Sequence, residues 1–315
     1  MADDVVRIAE DNSPSGAGFY LADARGYFRQ QGLTVKFVTF PSGVDMLPAL
    51  VAGEVDVAGG ITDAGLFRAV QQGLDVKIIG DKGRDIPGRP HFALVLRTGL
   101  ARRIQHYRDL KGLKVAMAST RSLNEEMLDK ALALGGLSLR DVEVVVIDSF
   151  PEIRAALARR RVDAALQIEP FLTLGREQRV AKVFRDPAEY APGEQLSVLL
   201  ADAPFVTERR ATAVRFMVAY RQGVRDYNRE FRGRANLYNV SAVLARYTGM
   251  GDFRLWARTA PVALDPNALV SPRGIAQDLA WHRRMGYVYG PVDLGQLIDL
   301  SIAREAARVI SAGGR

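Results

Sequence analysis

The sequence contains no cysteine. That excludes disulfides, a thiolate nucleophile, a cysteine-based metal site and a lipid-anchoring cysteine on this chain. Histidine is scarce as well. His91, His106 and His282 are dispersed, and none stands in an H-E-x-x-H pattern. We therefore expect no metal site. There is no G-x-S-x-G elbow and no G-x-x-x-x-G-K-[ST] loop. Gly16-Ala17-Gly18 is followed by Leu21 where a dinucleotide fingerprint needs its third glycine. We expect no cofactor, and these absences favour binding over catalysis, with carboxylate-only enzymes left open. No apolar run reaches the ~18–20 residues that span a bilayer. The formal net charge is +7, yet no basic stripe forms. Arg102-Arg103, Arg159–Arg161, Arg209-Arg210 and Arg283-Arg284 are scattered among acids, which reads as solvated surface and not as a nucleic-acid face.

What is present is an ordinary globular mix, 48% hydrophobic and 25% charged, in 315 residues. That is enough for two domains, each with its own core. One pattern occurs twice. Leu47–Asp63 (LPALVAGEVDVAGGITD) and Arg154–Pro170 (RAALARRRVDAALQIEP) both read as a small-residue helix, a tight turn, a Val-Asp strand start and a polar loop. Leu50 matches Leu157, Val55-Asp56 matches Val162-Asp163, and Thr62 matches Glu169, at an offset of 107 residues. At that offset Arg7–Glu10 falls on Lys114–Met117, and Phe40-Pro41 falls on Ile147-Asp148. Three strand ends repeating in register predict two similar halves.

In chain order, strands are expected at Val5–Glu10, Val35–Phe40, Val55–Gly59 and Val76–Gly80. Helices between them run to about Gln31, open at Ser42-Gly43, and start at the cap Thr62-Asp63. Such alternation indicates a parallel sheet with helices on its faces. Phe92–Leu96 leaves the first unit. The second repeats the order: strand Lys114–Met117, helix Ser122–Leu134, strand Val142–Ile147, helix Pro151–Arg159, strand Val162–Leu166. Leu196–Leu200 reads as a return crossing. From Thr207 a long helix runs to about Phe231, followed by helices at Val240–Tyr247, Asp252–Arg258, Pro272–Met285 and Leu294–Ile310. This tail packs back on the first unit. The expected division is residues 1–96 plus 202–315 as one lobe and 97–201 as the other, with two crossings as a hinge.

In open parallel sheets ligands bind beyond the carboxyl ends of the strands. That rule selects Asn12, Ser13, Phe40, Ser42, Gly43, Gly60, Thr62 and Asp63 from the first unit. From the second it selects Ser119, Thr120, Arg121, Ser122, Asp148, Ser149 and Glu169. If the sheets face each other, all these loops meet in one cleft. Several are helix starts, where backbone N–H groups favour an anion. Ser122 with Glu125 forms a capping box that uses some of those donors. Arg121 can pair bidentately with an acidic ligand. Phe92, like Phe40 and Phe171, can wall an apolar ligand portion. Arg84 and Arg89, in a Gly/Pro loop, and the carboxylates Asp63 and Glu169 are open candidates for further ligand contacts.

These residues bear a family resemblance. Gly26-Tyr27-Phe28 through Gly32-Leu33 and Val35–Phe37 resembles the entry segment of the nitrate/sulfonate/taurine-type solute-binding proteins of ABC importers. Ala49–Ala58, Asp109–Ala116 and Ala156 through Phe171 match the same family. The likeness covers Val5 to Leu200, and the helical tail is similar in type. It implies an α/β, two-lobed periplasmic-binding-protein-like fold (type II). It implies a non-enzymatic monomer that delivers a small-molecule solute to an inner-membrane permease. It implies a periplasmic home, hence a removed signal peptide. Met1–Asp4 leading directly into a strand fits by itself a cytoplasmic protein equally with a secreted one whose signal peptide was replaced by an initiator Met. The expected solute is a small organic anion, a sulfonate or carboxylate. The alternatives are a nitrogen heterocycle such as a thiamine pyrimidine precursor, or an enzyme of the menaquinone-pathway type on the same fold. A thiamine pyrimidine synthase of fungal type needs a cysteine-rich motif that is missing here.

Overall fold

The computed structural model describes residues 4–100 and 102–313. The expected chain start Met1–Asp3, Ala101, and the chain end from Gly314 lie outside the described residues. Among the described residues there are ten strands: β1 (Asp4–Glu10), β2 (Leu33–Thr39), β3 (Val57–Gly60), β4 (Val76–Arg84), β5 (Phe92–Arg97), β6 (Lys114–Met117), β7 (Glu143–Val146), β8 (Ala164–Ile168), β9 (Ala181–Val183) and β10 (Gln195–Asp202). They form two five-stranded sheets, ordered β2-β1-β3-β10-β4 and β7-β6-β8-β5-β9. In the first, β1 runs parallel to β2 and β3, and β10 runs antiparallel to β3 with Leu200 opposite Ala58. In the second, β6 runs parallel to β7 and β8, and β5 runs antiparallel to β8 with Leu94 opposite Leu166. The inner strands are nearly all apolar, as strands covered on both faces must be.

The described chain divides into two compact units. Unit 1 holds residues 4–83, 195–257 and 263–313; unit 2 holds 84–194 and 258–262. The two segments read as crossings are strands in their own right. Phe92–Arg97 is β5 of the second sheet, and Gln195–Asp202 is β10 of the first. Each sheet thus takes its antiparallel fourth strand from the stretch that follows a passage between units. The passages consequently fall at 83/84 and 194/195, ahead of the expected 96 and 201. A further excursion, 258–262, enters unit 2 and had no sequence signal.

The 107-residue repeat has a physical cause. In unit 1 the Arg7 N–H donates to Asp56 Oδ2 at 2.7 Å while the Asp56 N–H donates to the Arg7 carbonyl at 2.9 Å. In unit 2 the Lys114 N–H donates to Asp163 Oδ2 at 3.2 Å and the Asp163 N–H donates to the Lys114 carbonyl at 2.8 Å. Each Asp therefore fixes the register of its strand against the first strand of the unit. The preceding turn also repeats. It closes through Glu54 N–H to Ala49 O and Arg161 N–H to Ala156 O, both 2.9 Å. The turn needs a left-handed residue, which is Gly53 (φ +69°) in one copy and Arg160 (φ +58°) in the other. Val55 and Val162, just before each Asp, anchor the two cores.

Three helix expectations change. The first helix is split into Ala17–Ala24 and Tyr27–Gln30 because Gly26 turns left-handed at φ +73°. The long helix begins at Arg210 and not at Thr207, whose hydroxyl bonds back to the Ala203 carbonyl in a separate short helix. The last helix is interrupted: Leu294–Leu297 ends, Ile298 bridges to Ile78 of β4, and Ser301–Gly313 resumes.

Candidate functional site

Because β1, β2 and β3 are parallel, their following loops share one edge of the unit 1 sheet. Asn12 sits there at φ +55°, followed by half-buried Ser13. After β2, Phe40 packs partly into the core, and the Ser42 hydroxyl donates to Asp45 Oδ2 at 2.8 Å without reaching a backbone N–H. Gly43 starts a short 3-10 turn. Gly60 is not a loop residue but the last residue of β3, where a Cβ would come within 2.7 Å of Leu200. Thr62 is buried, and its hydroxyl donates to Asp278 Oδ2 at 2.6 Å. Thr62 does not cap the next helix. Asp63 does, accepting from the Leu66 N–H at 2.8 Å. Burial pushes the Asp63 carboxyl up to about 6, against the pull of that N–H.

Beneath this edge lies a polar chain that the sequence reading missed. Lys82 on β4 and Glu10 at the end of β1 are 1% and 0% exposed. Lys82 Nζ stands 2.9 Å from Glu10 Oε1 and 2.8 Å from Ser15 Oγ. Ser15 Oγ lies 2.7 Å from Ser13 Oγ. Burial raises the Glu10 carboxyl above its ordinary range even with Lys82 beside it. Gly59 makes the space: a Cβ there would lie 2.4 Å from Lys82 Cε. Two signals were legible, the adjacent glycines Gly59-Gly60 inside a strand and a lysine two residues past an apolar run. The expected strand Val76–Gly80 stops two residues short of Lys82, whereas β4 runs on to Arg84.

In unit 2 the loops after β6, β7 and β8 likewise share one sheet edge. Ser122 is buried and caps the helix Leu123–Ala133 through the Asn124 N–H at 3.3 Å. The expected capping box is displaced by one residue: the Glu125 carboxylate accepts from the Arg121 N–H. That donor is therefore engaged already. Ser119 Oγ lies 2.8 Å from Ser122 Oγ, while Thr120 and Arg121 are exposed, Arg121 at φ +53°. Asp148 is exposed and Ser149 caps the helix Phe150–Ala158. Phe92 is buried in β5 opposite Ile168, and Phe171 is also buried, so neither walls an open site.

Glu169, the residue after β8, lines a cavity of about 640 Å³ within unit 2 together with Arg89, Arg176, Lys182 and Asp186. Pro90, Leu172 and Val183 supply apolar walls. Arg84, by contrast, closes β4 and does not line it. The two carboxylates are saturated by neutral donors. Glu169 accepts from the Thr173 N–H and hydroxyl, both at 3.0 Å, and from the Ala260 N–H at 2.9 Å. Asp186 accepts from the N–H groups of Gly88 and Ala188. Burial raises the Glu169 carboxyl, and those N–H donors pull it down. Arg89, Arg176 and Lys182 form no ion pair among the described residues. The Arg176 charge still acts on the Glu169 carboxyl and helps pull it down, and with three cations beside two carboxylates the lining has a small positive excess. Arg176, Lys182 and Asp186 carried no motif that sequence reasoning could use.

Two mixed sheets, each with the order 2-1-3 followed by an antiparallel fourth strand, define the periplasmic-binding-protein fold. Solved structures agree. The periplasmic aliphatic sulphonate binding protein SsuA from Escherichia coli superposes with a TM-score of 0.75, at 22% identity, over 94% of this chain and 92% of that one. The periplasmic nitrate-binding protein NrtA from Synechocystis PCC 6803 gives 0.79 at 14% identity, covering 98% of this chain and 89% of the other. The chain belongs to the NMT1/THI5-like family, whose model matches residues 13–229. Among curated proteins, an aliphatic sulfonates-binding protein of Escherichia coli (strain K12) is 28% identical over 177 residues, 56% of this chain. The match spans about half (52%) of that relative's length.

Proposed function

We propose that this chain is the solute-binding component of an ABC importer and that its solute is a small organic anion, a sulfonate or carboxylate. It acts in the periplasm as a monomer, passes the solute unchanged to a membrane permease, and needs no cofactor. The observation that carries the anion reading is the unit 2 cavity. Its lining sets three cations, Arg89, Arg176 and Lys182, against two carboxylates, Glu169 and Asp186, whose hydrogen bonds come from backbone N–H groups and the Thr173 hydroxyl. Such a field draws anions to the edge. We assign Ser13 and Ser42 as the solute-contact candidates of unit 1, and Ser119, Thr120 and Arg121 as those of unit 2. The sulfonate-binding relative supports the same ligand class.

A thermal-shift panel of alkanesulfonates, an aromatic carboxylate, nitrate and aminopyrimidines tests this. A true ligand at about 100 times its Kd stabilises the fold by ~2.7 kcal/mol. The anions should raise the midpoint and the aminopyrimidines should not. Stabilisation by aminopyrimidines alone would reject the anion reading. Mass spectrometry of the solute after incubation should return it intact, and an altered product would place the chain among the enzymes of this fold.

A further inference from the structure

We infer that Lys82, which touches no solute, sets the hydrogen-bonding polarity of the site through Ser15 and Ser13. The inference rests on the reading of Ser13 as a solute contact and deepens it. An ammonium has three donors and no acceptor. Lys82 Nζ directs one at Glu10 Oε1 (2.9 Å) and one at Ser15 Oγ (2.8 Å). Ser15 must accept there. Its hydroxyl is buried, and its one remaining neighbour among the described residues is Ser13 Oγ at 2.7 Å. The single Ser15 proton therefore goes to Ser13. Ser13 Oγ in turn accepts, so its own proton is turned away from Ser15.

The rest of Ser13 is pinned. Its N–H donates to Asp11 Oδ1 at 3.2 Å and its carbonyl accepts from the Tyr20 hydroxyl at 3.1 Å. Its hydroxyl does not cap the turn Pro14–Gly16 that follows. Ser13 thus keeps its proton for a ligand at the half-exposed end of β1, with one of its two acceptor positions already taken. A free serine would rotate to accept or donate as the ligand demands. This one always has its proton available and has one acceptor position fewer, so it favours an acceptor oxygen, such as a sulfonate, carboxylate or nitrate oxygen, over an N–H in the same place. The buried Lys82–Glu10 pair is retained for that orientation. Gly59 and Gly16 are the small residues that admit it, since a Cβ at Gly59 would lie 2.4 Å from Lys82 Cε and one at Gly16 would lie 2.7 Å from Glu10 Oε2.

Calorimetric titration of ethanesulfonate and its near-isostere ethanesulfonamide into wild type, Ser13→Ala and Ser15→Ala decides the matter. Ser13→Ala should weaken ethanesulfonate about tenfold or more, as expected for a lost charge-assisted hydrogen bond. Ser15→Ala frees the Ser13 hydroxyl to rotate. It should lower the sulfonate-to-sulfonamide affinity ratio about three- to tenfold, while loss of a buried partner of Lys82 also lowers the unfolding midpoint. A purely structural role would weaken both ligands alike and leave the ratio at its wild-type value, which overturns the inference. If Ser13→Ala binds ethanesulfonate like wild type, Ser13 is no contact and the relay is overturned. A wild type that binds neither ethanesulfonate nor any other anion of the panel overturns the organic-anion reading itself, and the relay with it.

Discussion

The two copies of the Val-Asp repeat should differ sharply in what their aspartates contribute. Asp56 has a side chain 5% exposed and accepts from the Arg7 N–H (2.7 Å), Arg7 Nε (3.2 Å), Arg7 Nη2 (3.1 Å) and Arg209 Nη1 (2.6 Å). Asp163 is 25% exposed and accepts from one N–H and from Arg97 Nε at 3.1 Å. Removing a buried partner from a charge network costs about 3–5 kcal/mol. The Arg7 and Arg209 side chains are 39% and 38% exposed, however, so water can take over part of their solvation and the lower end applies. We expect Asp56→Ala to destabilise unit 1 by about 3 kcal/mol and Asp163→Ala to destabilise unit 2 by about 1 kcal/mol. Both tryptophans, Trp256 and Trp281, lie in unit 1. Tryptophan fluorescence in urea therefore follows unit 1, and far-ultraviolet circular dichroism follows both. Asp56→Ala should lower the fluorescence midpoint clearly, and Asp163→Ala should leave it in place. The Asp56 carboxyl is held low by hydrogen bonds from Arg7 and by Arg209, which outweigh its burial. Its contribution is present above the unfolded carboxylate range near ~4 and is lost as pH falls through the lower folded value. Equal losses for the two variants, or a larger loss for Asp163→Ala, would refute the view that burial and partner number set the value of this repeated residue.

Gly59→Ala places a methyl 2.4 Å from Lys82 Cε, so Lys82 must move; overpacking of this kind should cost about 1–3 kcal/mol in thermal unfolding. Burial raises the Asp85 carboxyl to about 7 against the N–H groups of His91 and Phe92, so its folded form holds a proton that the unfolded chain releases near pH ~4. Wild-type stability should therefore fall as pH rises from about 4 to 7. Asp85→Asn should flatten that slope in urea titrations at several pH values, and an unchanged slope would remove Asp85 as its source. Arg121→Ala should weaken sulfonate binding by roughly ten- to a hundredfold by calorimetry, as the loss of a charge-assisted hydrogen bond of ~1.5–3 kcal/mol requires. Arg89→Ala with Lys182→Ala should reduce the association rate most at low salt, because the cavity charges act through a screened field; a salt-independent rate would discount that role.

The sequence by itself determined the elements and their repetition. Val55-Asp56 and Val162-Asp163 are local signals, an apolar anchor followed by a carboxylate that accepts the first strand's N–H, so both strands could be located without a structure, although they open two residues later than expected, at Val57 and Ala164. The strand-end loops followed from the parallel order and were legible as positions. What those positions do was not. Thr62 and Gly60 stand among the expected ligand contacts, yet Thr62 donates to Asp278, 216 residues away, and Gly60 closes a strand against Leu200. The Arg121 N–H is engaged by Glu125, and Phe92 is buried in β5. Only tertiary structure could decide these, because a hydrogen-bond partner or a packing neighbour far along the chain leaves no local pattern. The same holds for β5 and β10. Their composition marks them as apolar strands, but which sheet each joins depends on pairing with β8 and β3, which are distant in sequence. Lys82 shows the limit most clearly. A lysine near an apolar run reads as solvated until the fold brings Glu10, Ser15 and the missing side chain of Gly59 around it, and burial then turns a surface charge into a fixed donor.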